Sequence, residues 1–158
     1  MNEDEAKKLA EFRRTVDLSG FNNQPYVRRI EKPWGYELHF VPDGMSYMGK
    51  LMHINAGCRQ SLQVHDDKIE TYLLLNGSGG VIIENTSGEL EEILFDGNVG
   101  YTTKLGQKHR LFASSEEDVD IIEFSVPERG TTYHLADDYN RPSETEELRQ
   151  KRNIEGRN

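Results

Sequence analysis

The chain has 158 residues, a formal charge of −9 and a pI near 5.1, so it fits one domain with a core that needs neither disulfides nor structural zinc fingers. It lacks the basic footprint of a nucleic-acid binder, and its single cysteine, Cys58, excludes an internal disulfide and fits a reducing compartment. No apolar run approaches the roughly 18 residues of a membrane span, and "MNEDEAKKLAEFRR" has no signal-peptide apolar region, so a cytoplasmic protein with neither nucleic acid nor membrane as partner is expected.

Leu9, Phe12 and Val16 are spaced for one apolar stripe, which predicts a short helix over the first sixteen residues that caps the main domain or a neighbouring subunit. A turn-rich loop, "DLSGFNNQP", follows. From Trp34 to Pro127 the chain is a series of short strand-like runs, "WGYELHFV", "YMGKLMHI", "SLQVH", "IETYLLLN", "GGVIIEN", "ELEEILF", "VGYTT", "HRLFA" and "VDIIEFSV". Turn signals such as "PDG", "NAG", "NGSGG" and "SSEED" separate them. Many short strands without intervening helices predict an all-β antiparallel barrel or sandwich and exclude βαβ units. Ser143 followed by Glu146 reads as a capping box, after which the charged tail is expected to fray into solvent. The expected division is a helix-and-loop extension over 1–30, one β domain over 31–141 and a charged tail over 142–158.

Alternate side chains of a strand share a face, so Gln63 and His65 point the same way, as do Glu70, Tyr72 and Leu74 on the next run. With "DDK" as the turn between them, Gln63, His65 and Glu70 converge on one point. From these three residues alone, a metal site and a solvated surface hairpin both stay open.

The wider pattern resembles the cupin superfamily. Gly57, Gln63, His65, Glu70 and Gly77 repeat the spacing of the first cupin motif, with Gln63 in place of the first histidine of its His-x-His. "DGNVGYTTKLGQKHRLFA" resembles the second motif, whose Gly-x-x-His ending is matched by Gly106 and His109. "EKPWGYE" looks like the opening of the cupin domain of type II mannose-6-phosphate isomerases. Arg59, Ser61, Leu62, Gln63, His65, Lys68 and Glu70 are similar to that family's first-motif approach, and "LADDYNR" to its closing segment. The similarity runs from about Glu31 to Arg141. Two departures stand out: the second-motif proline is missing near Thr103 and Lys104, and the segment from Gly97 to His109 is one residue longer than the motif. The pyrophosphorylase domain often fused to this module is absent from the sequence.

The resemblance implies a single jelly-roll barrel (a double-stranded β-helix) with short helical extensions, and one divalent ion held by Gln63, His65, Glu70 and His109. Two imidazoles, an amide oxygen and a carboxylate suit Zn²⁺, and also Mn²⁺, Fe²⁺, Ni²⁺ or Co²⁺. Such an ion stabilises the charge that develops when an aldose and a ketose interconvert, which also needs a base that this sequence does not identify. The implied activity is that of a sugar-phosphate isomerase. Lys68 and Glu70 are the candidate catalytic groups, and Arg59, Lys68, Lys108 and Arg110 the candidate substrate contacts. For Lys68 a solvated turn lysine is an equal reading. Lys104, Lys108 and Arg110 stand in an acid-free run from Asn98 to Ala113, which suits a phosphate and equally an ordinary charged strand. An iron-dependent cupin dioxygenase and a non-catalytic sugar- or metal-binding cupin are the alternatives. His39, His53 and His134 read as surface or packing histidines, and Trp34 and Tyr36 as packing residues with "PWG" helping to close the pocket. The partners expected are a small sugar or sugar phosphate and a second copy of the chain.

Overall fold

Short hairpin pairings between consecutive strands combine with pairings between sequence-distant ones, and the result is two antiparallel sheets facing each other. The computed structural model describes residues 1–17, 19 and 27–155, with side chains through 152, so most of the loop read at "DLSGFNNQP" lies outside the described residues. Numbered in chain order, the larger sheet runs β1 (Arg28–Lys32), β2 (Gly35–His39), β3 (Met48–Ile54), β10 (Val119–Ser125), β5 (Glu70–Gly77) and β8 (Gly100–Thr102). The smaller runs β11 (Thr132–Ala136), β4 (Leu62–His65), β9 (His109–Ala113), β6 (Gly79–Glu84) and β7 (Leu90–Leu94). Nine of these strands fall within the runs read from alternation, to within a residue at each end. The sequence reading passed over β1 and β11, because "RRIEK" is mostly charged and "TYHLA" follows a turn-rich stretch.

Cross-strand register makes the interior a graded wall. Gly35, Ile54, Val119 and Gly77 form one row across β2, β3, β10 and β5; Glu37, Met52, Ile121 and Leu74 form the next; His39, Lys50, Glu123 and Tyr72 form the third. The first row belongs to the dry end, where Trp34, Ile54, Val81, Leu111, Val119 and Ile121 cluster as the core. The third row is ionic. Each buried core side chain of this size contributes about 1.5–3 kcal/mol, so the apolar end carries stability while the polar end is free to carry chemistry.

Two glycines make the dry end close. A Cβ on Gly35 would sit 2.0 Å from the His53 carbonyl oxygen, and one on Gly77 would sit 1.9 Å from that of Asp118. Both also have positive φ, +148° and +83°, which L side chains rarely adopt.

The helical ends differ from their reading. Helix α1 (Glu3–Thr15) is present, with a capping box between Asn2 and Glu5, but it buries none of its residues. Leu9 and Phe12 are 46% and 63% exposed, so the stripe does not cap the barrel. The C-terminal stretch does the packing instead. Glu144 pairs with Thr132 of β11, and α2 (Glu146–Glu155) follows, capped by the Thr145 hydroxyl, which accepts the Leu148 N–H at 3.3 Å. Ser143, read as the cap, accepts the His134 N–H at 3.1 Å instead. Arg149 is buried and donates to the carbonyls of Glu144 and Gly130, which anchors the helix. Among the described residues, no helix is long and apolar enough to cross a membrane.

Candidate metal centre

The turn between β4 and β5 crosses from one sheet to the other. His65 ends β4 in the smaller sheet and Glu70 opens β5 in the larger, so the turn between them carries two side chains to opposite walls of one interior. His109, the first residue of β9, stands beside Gln63 in cross-strand register. The excess residue before His109 is absorbed by the turn ahead of β9, where the Gly106 N–H donates to the His65 carbonyl at 3.0 Å. His65, Glu70 and His109 are all buried, and their ligating atoms lie within 4.8 Å of one another.

Glu70 Oε2 is the hub. His65 Nε2 lies 3.1 Å from it, His109 Nε2 lies 3.0 Å from it, and the Tyr72 hydroxyl donates to it at 2.5 Å. The outer nitrogens of both imidazoles are committed elsewhere: His109 Nδ1 donates to the Gln107 carbonyl at 2.9 Å, and His65 Nδ1 meets Thr132 Oγ1 at 3.0 Å. A carbonyl only accepts, so the neutral His109 ring carries its proton on Nδ1 and turns a lone pair toward Glu70. His65 Nε2 is buried without a hydrogen-bond partner despite its closeness to the carboxylate. Two imidazole nitrogens and a carboxylate oxygen aimed at one point fit a divalent cation, with the outer contacts orienting the rings as metal-bound imidazoles require. His65 presents its Nε2 lone pair when its Nδ1–H donates to the Thr132 hydroxyl. Gln63 Nε2 lies 3.4 Å from His109 Nε2, and a half-turn of its amide presents the oxygen at the same place.

Burial alone would raise the Glu70 carboxyl, but Lys68 together with the His109 and His65 contacts outweighs it and holds Glu70 well below the usual carboxylate range. Burial pushes the His65 imidazole down, more than Glu70 raises it. Both residues therefore stand in the forms a cation needs, a carboxylate and a neutral ring.

Behind the hub runs a buried chain of charge that the sequence reading missed. Lys68 Nζ lies 2.6 Å from Glu70 Oε1 and 2.7 Å from Glu123 Oε1; Lys50 Nζ lies 3.2 Å from Glu123 Oε2 and 3.5 Å from Glu37 Oε1. His39 Nε2 meets Glu37 at 2.9 Å, Lys32 Nζ lies 3.5 Å from it, and Glu128 reaches Lys50 at 3.4 Å. Burial opposes the charge on Lys68, yet Glu123 and Glu70 outweigh it and raise its pKa, so Lys68 stays an ammonium. Four carboxylates face three ammonium groups, a surplus of one negative charge that a divalent ion would overcompensate. The available signal was strand parity: Glu37, Lys50 and Glu123 share the inward face with Met52, Ile54, Val119 and Ile121.

A cavity of about 290 Å³ opens on this chain. Gln63, His65, Lys68 and Glu70 line its polar floor, Pro33, Trp34 and Met52 an apolar wall, and Leu148 and Arg152 of α2 its outer part. The other candidate substrate contacts are not on that lining. Arg59 pairs with Asp138 at 2.6 Å, Lys108 with Glu84 at 2.7 Å, and Arg110 donates through Nε and Nη2 to the Gln60 carbonyl at 2.8 and 2.6 Å. His39 belongs to the ionic chain, His53 pairs with Asp120 at 2.7 Å, and His134 lines the cavity.

No family model matches the chain. Its curated relatives include the xanthan biosynthesis protein XanB from two strains of Xanthomonas campestris pv. campestris, 25% and 24% identical over 120 residues, or 76% of this chain and 24% of theirs. The chain thus spans about a quarter of the length of the curated relatives it matches. Among solved structures, it is similar to the capsular polysaccharide assembling protein CapF of Staphylococcus aureus (TM-score 0.57, 14% identity, 76% of this chain and 34% of that one). It is also similar to a cupin-2 domain protein of Rhodospirillum rubrum (0.54, 14%, 76% and 84%). A third is the oxalate decarboxylase of Bacillus subtilis, described with Mn(II) centres (0.58, 12%, 68% and 30%). The fold these structures share with the two sheets above is a single cupin barrel. Within that barrel His65, Glu70 and His109 form a candidate metal site.

Proposed function

We propose that the chain is a divalent-metal-dependent isomerase interconverting aldose and ketose forms of a phosphorylated sugar. The observation that carries this reading is the convergence of His65 Nε2, Glu70 Oε2 and His109 Nε2 at a cavity that His65 and Glu70 line, with His109 buried behind them. Sugar context comes from the relatives, one named for xanthan biosynthesis and one for capsular polysaccharide assembly. His65, Glu70, His109 and Gln63 would hold the ion, which when bound supplies Lewis-acid polarisation of sugar oxygens. Lys68 is a positioning residue: as a buried ammonium it fixes Glu70 Oε1 and leaves Oε2 turned to the imidazoles. The Trp34 and Met52 wall excludes water from the reacting face and suits the apolar side of a sugar ring.

The test is a screen of hexose and pentose phosphates for aldose–ketose interconversion, followed by NMR, with protein loaded with Zn²⁺, Mn²⁺ or Fe²⁺ and with protein stripped by chelator. Interconversion in a loaded sample and its loss on stripping is expected. Dioxygen uptake without isomerisation, or binding of sugar without turnover, would replace this reading with an oxygenase or a non-catalytic cupin.

A further inference from the structure

The cavity's outer part holds cations with unmet hydrogen-bonding capacity. Among the described residues, Lys32 Nζ has one ion-pair neighbour, Glu37 Oε1 at 3.5 Å, and no hydrogen bond, although an ammonium carries three donors. Its side chain is only 13% exposed. Arg152, brought over the cavity by α2, is paired through Nη1 with Glu144, has Glu128 Oε2 3.8 Å from Nη2, and keeps a buried Nε with no hydrogen-bond partner. The other cations on the lining are committed: Arg141 to Asp137 at 2.6 and 3.1 Å, and Lys50 and Lys68 to the buried glutamates. Donors held away from water without acceptors are unfavourable, so the arrangement calls for a ligand rich in acceptors.

We propose that Lys32 and Arg152 form an oxyanion subsite that takes the phosphate of the substrate whose sugar oxygens face the metal centre. Its place in catalysis rests on the isomerase reading; the oxyanion site itself does not. Burial lowers the Lys32 pKa, and Arg152 and Lys50 act on it as like charges, a strain that an anion between the cations relieves. Glu31, Glu37, Glu128 and Glu144 also line the cavity. Glu128 and Glu144 steer Arg152, so a phosphate competes with them for it and binds reversibly. An arginine fork and a lysine point charge are a common pairing for a phosphate's three oxygens. The subsite explains two features together: why "EKPWG" precedes β2 with its lysine turned inward, and why a strongly charged C-terminal helix is anchored through buried Arg149.

The experiment is calorimetric titration of the full, metal-stripped chain with inorganic phosphate, a hexose 6-phosphate and the unphosphorylated hexose. Wild type should bind both phosphates, and Lys32→Gln and Arg152→Gln should each weaken them by about tenfold or more. Lys32→Arg should retain most of the affinity, and Lys108→Gln should leave it unchanged. Should Lys32→Gln fail to fold, Arg152→Gln, on a partly exposed helix position, carries the same test. No phosphate binding by wild type would overturn the subsite, as would a loss confined to Lys108→Gln. Phosphate binding that depends on Lys32 and Arg152 in a chain without isomerase activity would keep the subsite and remove only the catalytic reading.

Discussion

His109 Nε2 stands 3.0 Å from Glu70 Oε2 while His109 Nδ1 donates to the Gln107 carbonyl at 2.9 Å. The same carboxylate oxygen receives the Tyr72 hydroxyl at 2.5 Å, and His65 Nε2 approaches it at 3.1 Å. A carboxylate and two imidazole nitrogens this close together suit a cation placed among them. Tyr72 holds the Glu70 oxygen itself and Thr132 holds the outer nitrogen of His65, and neither is among the three residues that would ligate the ion. Tyr72→Phe and Thr132→Val should therefore lower divalent-ion affinity about 10–100-fold while leaving the fold intact. Calorimetric titration with Zn²⁺ or Mn²⁺, beside circular dichroism, checks this, and unchanged affinity in both variants would show that these contacts do not orient the ligands.

Glu123, buried on the cavity lining, bridges Lys68 and Lys50 at 2.7 and 3.2 Å. Glu123→Ala takes one buried carboxylate from both ammonium groups, leaving Lys68 with Glu70 and Lys50 with Glu37 and Glu128, and removing one member of such a buried set costs up to about 3–5 kcal/mol. Urea unfolding measures it. A loss under 1 kcal/mol would mean that Glu128 and Glu37 compensate fully.

The glycines that frame the first motif differ in what they do. Gly57 has φ +70° and open space around its Cβ position, so Gly57→Ala bears only the left-handed backbone cost of about 1–2 kcal/mol. Gly77 has φ +83° and the Asp118 carbonyl oxygen 1.9 Å from that position. Gly77→Ala should be clearly the more destabilising of the two, because backbone cannot swing aside as a side chain does. Equal thermal shifts would contradict the packing of the β5–β10 end.

Stability should fall at both pH extremes. Burial raises the Glu37 carboxyl, but Lys32, Lys50 and His39 outweigh it and hold its pKa well below 4.5; Glu128 is likewise lowered, Lys50 and Lys68 outweighing burial. The unfolded chain thus takes up these protons first, so this stabilisation is present above 4.5 and is lost as pH falls through the folded values. For Lys50, burial is outweighed by Glu123 and Glu37, which raise its pKa well above 10.5. Its contribution is present below 10.5 and is lost as pH rises through the folded value. Burial lowers the His65 ring from 6.5, so the urea midpoint should already decline as pH falls below 6.5. The buried carboxylates add their loss below 4.5, and Glu37→Gln should flatten that part of the acid limb. An acid limb identical in wild type and Glu37→Gln would assign the loss to other carboxylates.

The barrel was legible because many short apolar runs such as "YMGKLMHI" and "VDIIEFSV" are cut by turn signals with no helical segment between them, and a strand turns alternate side chains to opposite faces. Gln63, His65 and Glu70 were legible for the same reason, since parity and a short turn bring them to one place. His109 needed the second motif, because nothing local to "KHRL" tells that β9 lies beside β4. The ionic chain was hidden by the same alternation that revealed the strands: Lys50 and Glu123 look like ordinary polar positions until it is known that Met52 and Ile121, of the same parity, point inward. The tail misled for a different reason. Arg149 is held by two backbone carbonyls, and backbone acceptors leave no trace in composition. The phosphate clue failed similarly, since Lys108 and Arg110 are close in sequence to His109 but find Glu84 and the Gln60 carbonyl as partners.

The most direct measurement is elemental analysis of wild type, His65→Ala, Glu70→Gln and His109→Ala after identical loading with a divalent ion and removal of the excess. The structure predicts about one ion per chain in wild type, and about a tenth of that or less in His65→Ala and His109→Ala, each of which loses a nitrogen ligand. Glu70→Gln should fall between, because it keeps the shape but removes the single anionic ligand. Full occupancy in all three variants, or no retained ion in wild type, would contradict a metal centre built on His65, Glu70 and His109.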